Sequence, residues 1–359
     1  MFLALREIRH SKLRFGLITG VIVMVSSLVF ILSGLANGLA TGQSAALDGL
    51  PIDAMVISSG SDYQLDRSSL SSGTVETIRD QPDVTDASPF GATAANVKLE
   101  GTDSVLGVSL IGVEPGSFAA PDPDEGEPAG TGDNGVVIDE TLASEGVAIG
   151  DTLVTDPDGT RLTVVGTVDG RSYRLAPTLF MPIGLWQETQ TQADGGDASG
   201  INAVLVQGEP EALAGTIVAG KSEIIENLPG YTEQALTLLL IQVFLVVIAA
   251  GIVASFFFII TLQKMPELGV MKAIGTKTGY LARSLIVQVA LLGLVGVILG
   301  TAIAWGVSLL IGSAVPFDLS MRQFVVFGAI LLVVALLGTL LSLLRVARVD
   351  SLDAISKAG

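Results

Sequence analysis

QALTLLLIQVFLVVIAAGIVASFFFIITLQ, residues Gln234–Gln263, is thirty residues long and carries no charge. A helix on a soluble protein keeps one polar face, and this segment has none. A bilayer core of about 30 Å needs about 20 apolar helical residues, so the run is long enough to span. Three more uncharged runs match it, Phe15–Leu47, Ser284–Phe317 and Gln323–Leu344. The four together predict transmembrane helices at 15–43, 234–263, 284–312 and 323–344, with 44–233 as one large domain inserted between the first two. The fold class expected is membrane α-helical, four spans, with an α+β, mainly β extracytoplasmic domain. Arg6, Arg9, Lys12 and Arg14 precede the first run as they would a signal peptide, but a signal h-region is roughly 7–15 residues and this run is longer.

Charge is segregated in the same way. The chain has a mean hydropathy of +0.63 and yet a net charge of −17. Asp48–Glu233 holds seven basic and thirty-one acidic residues, a net of −24. The N-terminal segment 1–14, the loop 264–283 and the tail 345–359 hold eleven basic and four acidic residues, a net of +7. The short loop 313–322 balances Asp318 against Arg322. An excess of Lys and Arg marks cytoplasmic loops, so both termini and 264–283 are expected on the inner side of the plasma membrane and the acidic domain outside. The acidity also argues against a nucleic-acid partner, whose phosphates it would repel.

The outer segment reads as short strands between turns. DSVLGVSLIGVE, NGVVIDE, GDTLVTDPDGTRLTVVGTVDG, TLFMPI and INAVLVQ are rich in Val, Ile, Leu and Thr, and DPDGT is a hairpin signal. SSGTVETIRD and the neighbourhood of PEALAGTIVAGKSEIIENL read as helical, and the acidic, Pro/Gly-rich Glu114–Gly135 as a loop. Met181 reads as core.

Few residues are suited to catalysis. Cysteine is absent and the single histidine, His10, precedes the first span, away from the outer domain. No Ser–His–Asp set can be assembled across a membrane. GVMKAIGTKT lacks the Gly-Lys-[Ser/Thr] of a phosphate loop, which also needs a preceding strand. Carboxylate pairs such as Asp139–Glu140 read as solvated surface. No Asp, Glu, Lys or Arg lies inside a span, which argues against ion-coupled transport.

Two features remain. Small residues recur at helical spacing at Gly34, Gly38 and Gly42, at Ala250, Gly251, Ala254 and Ser255, and at Gly296 and Gly300. Such faces let helices approach closely, within one bundle or between copies, or leave a flat slot for a planar apolar ligand. After the second span, QKMPELGVMKAIGTKT places Pro266 as a helix breaker and then Leu268, Met271 and Ile274 on one face, ending at Gly275. An apolar face beside Lys272 suits docking into a partner's groove or lying on the inner leaflet.

K-M-P-E-L-G-V-M-K-A-I-G-T-K resembles the coupling element of the MacB/FtsX-type (type VII) ABC transporter permeases. RVARVDSLDAISKAG resembles their C-terminal signature, with Ser351 where the family has proline, and the layout of one span, an outer domain and three spans is theirs. Within that family the segment FFFIITLQKMPELGVMKAIGTKTGYLARSLIVQ is most similar to the HrtB-like haem-efflux permeases. The resemblance implies a homodimer served by two copies of a separate cytoplasmic ATPase, Mg-ATP on that partner, no intrinsic cofactor, and haem as transported ligand drawn from membrane lipid. It implies that Pro266, Glu267, Leu268, Gly269, Met271, Lys272, Ile274 and Gly275 receive the ATPase stroke. The expected ligand candidates are Tyr231, Glu233, Tyr173 and Arg174, with Gly34, Gly38, Ala250 and Ala254 lining the slot. Tyr231 also reads as an interfacial anchor and Tyr173 as a structural tyrosine. The same architecture serves FtsX-like regulators of cell-wall hydrolases and permeases that extract lipid or lipoprotein.

Overall fold

The computed structural model describes residues 12–156, 158–194, 200–263, 270, 271, 274, 276, 278–311 and 316–347. The chain opens with α1 (Lys12–Asp48), β1 (Ala54–Ser58), β2 (Leu70–Ser71), α2 (Gly73–Arg79), β3 (Val84–Leu99) and β4 (Val105–Val113). There follow β5 (Glu125–Gly126), β6 (Gly135–Asp139), α3 (Glu140–Ser144), β7 (Thr152–Asp156), β8 (Arg161–Val168), β9 (Thr178–Pro182) and α4 (Ile183–Asp194). Next come β10 (Gly200–Ile201), β11 (Ala203–Gly208), β12 (Thr216–Ala219) and α5 (Lys221–Glu226), then α6 (Tyr231–Gln263), α7 (Thr278–Ile311) and α8 (Met321–Ala347). Two compact units result, Leu39–Leu236 and the helical remainder.

In the helical unit α1, α6, α7 and α8 are each long and apolar enough to cross a membrane. Phe15, Ile18 and Ile22 of α1 meet Val253, Phe257 and Ile260 of α6, Val289 and Leu292 of α7, and Ala335 of α8. A second layer gathers Val29 and Phe30 with Ala249, Val297, Ala304 and Leu331. Phe30 meets Phe324 edge-on, with centroids 5.1 Å apart. A hydroxyl buried in this oil is costly without a partner. Thr261 donates to the Phe257 carbonyl and Thr339 to that of Ala335, both at 2.8 Å, and Ser26 donates across to Gly296 at 3.2 Å.

The small residues do the packing. A side chain at Gly300 would collide with Ser26, and one at Gly338 would stand 2.8 Å from the Ala254 Cα, so α1 meets α7 and α6 meets α8 at backbone distance.

The other unit is built on a sheet that closes on itself. The path β3-β4-β9-β6-β8 returns to β3 through β7, which pairs both β8 and β3. β4–β9 and β6–β8 are parallel, while the remaining pairs of the ring are antiparallel. The first half of β3 extends the sheet outward through β11, β1 and β12. Successive strand residues face opposite sides. Val136, Ile138, Val108, Leu110, Leu179 and Met181 thus share one core, and Val137, Ile111 and Phe180 share another. Both faces are covered, which explains unbroken apolar runs such as VVI.

Several strands depart from the sequence reading. β3 is the longest, yet VTDASPFGATAANVKL is rich in Ala, is interrupted by Pro89 and Gly91, and has weak strand propensity. Pairing on both edges holds it extended. Its Gly91, with Gly112 of β4, leaves room for the Trp186 ring of α4. The acidic stretch expected as loop contributes β5, antiparallel to β8. The stretch expected as helix around Pro210–Leu228 contributes the four-residue strand β12, paired with β1, and only α5 is helical. The DPDGT hairpin forms as expected between β7 and β8.

Asp139 corrects the surface reading of the Asp139–Glu140 pair. It is 2% exposed, accepts from the Thr141 amide at 2.9 Å as the cap of α3, and accepts from the Arg171 amide at 2.8 Å. Glu140 is exposed, as expected.

Candidate functional site

The helix that decided the fold also carries the most open apolar surface. Leu240, Phe244, Val247 and Ile248 of α6 are largely exposed, as lipid-facing side chains are. Leu240, Ile241, Phe244, Leu245 and Ile248 of α6 and Leu32 of α1 line a groove of about 430 Å³, with Thr237 as its hydroxyl. That volume lies within the range of roughly 300–1,000 Å³ common for ligand pockets. Its walls offer contact area to an apolar ligand and no charge.

The groove is not where the small residues pointed. The Gly34–Gly38 face of α1 is filled by the segment Pro316–Leu319. A Cβ at Gly34 would stand 2.7 Å from Leu319, and one at Gly38 would collide with the Pro316 carbonyl. The Asp318 amide donates to the Gly34 carbonyl at 3.1 Å, and Asn37 donates to the Asp318 carboxylate at 2.6 Å. Leu32 lies about 200° around the helix from Gly34, on the far side. Ala250 and Ala254 are half-buried, the latter against Gly338. A helix apolar on every side has no face that stands out, so its sequence does not single out this groove.

Both tyrosines belong to the outer domain and pack with one apolar core. Tyr173 is 4% exposed in the core that also holds Ala46 and Leu47 from the end of α1, and Tyr231 packs against the same cluster. Burial pushes the Tyr173 phenol far above its ordinary value, outweighing the opposite pull of Arg174. Burial thus disfavours the phenolate that a ferric ligand requires. Arg174 is half-buried with its guanidinium 3.5 Å from Asp66. Glu233 is exposed in the first turn of α6.

Of the coupling element, Pro266, Glu267, Leu268, Gly269, Lys272 and Gly275 lie outside the described residues. Met271 and Ile274 lie within them. The Ile274 amide donates to the Val270 carbonyl at 3.1 Å, one helical turn, and Val270 and Ile274 are 60% and 80% exposed. Apolar side chains so placed are available to a membrane surface or a protein partner.

A model of the MacB-like periplasmic core domain matches residues 15–219, and one of the FtsX-like permease C-terminal region matches 239–350. The chain belongs to the MacB/FtsX-type family of ABC transporter permeases, membrane subunits that are the transport component of such systems. It is 26% identical to a protein of Staphylococcus epidermidis provisionally described as the hemin transport system permease HrtB, over 99% of each chain. It is equally 26% identical to an uncharacterized ABC transporter permease of Mycobacterium bovis, over 98% of this chain and 97% of that one. Among solved structures, the periplasmic region of MacB from Actinobacillus actinomycetemcomitans aligns with a TM-score of 0.36 at 15% identity, covering 50% of this chain and 94% of that one.

Proposed function

We propose that this chain exports haem from the membrane as a homodimeric permease driven by two copies of a separate cytoplasmic ATPase. The observation that carries the reading is a likeness running end to end to a permease described for hemin transport. The apolar groove between Leu32 and Phe244 supports it, because the flat apolar face of a macrocycle gains contact area there. The spans cross as 15–43, 234–263, 284–312 and 323–344, with both termini in the cytoplasm and 44–233 outside. Haem enters from lipid, and ATP-driven closure of the ATPases pushes the Pro266–Gly275 element. The rigid spans then narrow the groove and release the ligand outward. Tyr231 and Glu233, in the first turn of α6, are the first candidates for iron. Tyr173 is the second, and it must ionise to serve. Arg174 takes a propionate in exchange for Asp66.

Deletion of the protein should sensitise cells to haem, and the purified chain should shift the Soret band on titration. Unchanged tolerance together with an unshifted band sinks the substrate assignment. A cell-wall hydrolase co-purifying on the outer domain would then select the FtsX-like regulator.

A further inference from the structure

One turn of the outer domain is made of residues that suit its geometry badly. The Tyr173 and Ala176 backbones bond to each other in both directions, at 3.0 and 3.1 Å, around the two-residue loop Arg174–Leu175. Those two residues have φ of +54° and +62°. Such a loop favours Asn-Gly, and a bulky leucine with positive φ is strained. A second pair, Asp62 and Tyr63 at +50° and +61°, precedes Asp66, the partner of Arg174.

What holds the loop is the outer end of α1. The Arg174 amide donates to the Gln43 carbonyl at 3.0 Å, the Leu175 amide to Gly42 at 2.9 Å, and the Ala46 amide to Ser172 at 3.0 Å. Gly42 and Ala46, one helical turn apart, thus both bond to this segment. The base of the turn is fixed: the Thr178 hydroxyl donates to the Arg171 carbonyl at 2.6 Å, the Ser109 hydroxyl to that of Tyr173 at 3.0 Å, and Asp139 holds the Arg171 amide.

We propose that Tyr173–Ala176 is a strained latch on the end of α1, closed by helix carbonyls and opened when α1 moves in the transport cycle. The strain of two left-handed non-glycine residues is of the same order as the net gain from three backbone hydrogen bonds. Closed and open forms are therefore close in free energy, which is the condition for a switch. The role in transport rests on the reading of the chain as a force-transmitting permease. The latch itself is tested without haem.

Hydrogen–deuterium exchange of the full-length chain in lipid nanodiscs reads the Arg174 and Leu175 amides against those of Leu179 and Met181 in β9. The latch amides should exchange at least about tenfold faster than the strand. Arg174→Asn with Leu175→Gly, which gives the loop its favoured residues, should slow latch exchange about tenfold, and Leu175→Gly alone, which keeps Arg174 for a propionate, should also slow it and reduce the haem tolerance of cells expressing it. Latch exchange as slow as β9, or unchanged in the double variant, overturns the proposal. So does slowed exchange with undiminished tolerance, which would make the turn a static joint. If the double variant does not fold, the wild-type comparison and Leu175→Gly alone decide. A wild-type chain that confers no haem tolerance counts against the substrate and leaves the exchange result standing.

Discussion

The side-chain amide of Gln43 donates to Oε1 of Gln234 at 2.5 Å, tying the last turns of α1 to the first turn of α6. These are the helices by which the chain enters and leaves the outer domain, and the bond joins them where both become part of its core. A neutral hydrogen bond contributes about 1 kcal/mol net, so Gln43→Ala and Gln234→Ala should each lower thermal stability by about that much. The double variant should cost less than the two together, with a coupling of at least about 0.5 kcal/mol. Strict additivity would mean that the bond contributes nothing.

Asp139 is the better target in its pair. Asp139→Ala removes the cap of α3 and leaves the Arg171 amide without its acceptor, at a cost of about 2 kcal/mol. Glu140→Ala should stay within about 0.5 kcal/mol. Thermal unfolding followed by circular dichroism distinguishes them, and equal effects would contradict the capping assignment.

The buried phenol of Tyr173 has a sign that can be checked. Its folded pKa is raised, so the folded state holds the proton above about pH 10, where the unfolded phenol has released it. Stability is full below pH 10 and falls as pH rises beyond it. Tyr173→Phe should flatten that alkaline decline. An identical decline in the variant would place the phenol in solvent.

Gly38 and Gly251 make a matched pair. Gly38→Val drives a side chain into the Pro316 carbonyl and should cost about 1–3 kcal/mol or prevent membrane accumulation. Gly251→Ala meets nothing within 4 Å and should be neutral or stabilising by up to about 1 kcal/mol, as glycine replacement in helices is. Equal yields from both variants would show that Pro316–Leu319 does not sit on α1.

Filling the groove should displace its ligand. Leu32→Trp or Ile241→Trp is expected to weaken haem binding by about tenfold, the effect of losing a well-filled apolar site. Tyr231→Phe leaves the groove open and should change the Soret position more than the affinity. If both groove variants bind as the wild type does, haem is held elsewhere.

Much of the architecture can be read from residues close in sequence. Gln234–Gln263 is apolar on every side, so burial in oil follows without knowledge of its neighbours. The DPDGT hairpin and the alternation in Arg161–Val168 are local in the same sense. β3 is different, because Pro89, Gly91 and its alanines carry no strand signal and only its partners on both edges hold it extended. Asp139 reads as surface next to Glu140, and only the return of Arg171, thirty-two positions later, shows it to be buried.

The candidate site divides along the same line. Composition and charge determined the four apolar helices and the sign of each loop, because the cost of burying charge in lipid acts on each segment alone. The tertiary structure decided which face of α1 is open. Gly34 and Gly38 are as small as a slot requires, but the segment after α7 occupies them, and the groove opens on the Leu32 side. It also decided that Arg174 and Leu175 are strained against the end of α1. Both are matters of what packs against what across long stretches of chain, and a residue's identity does not carry that information.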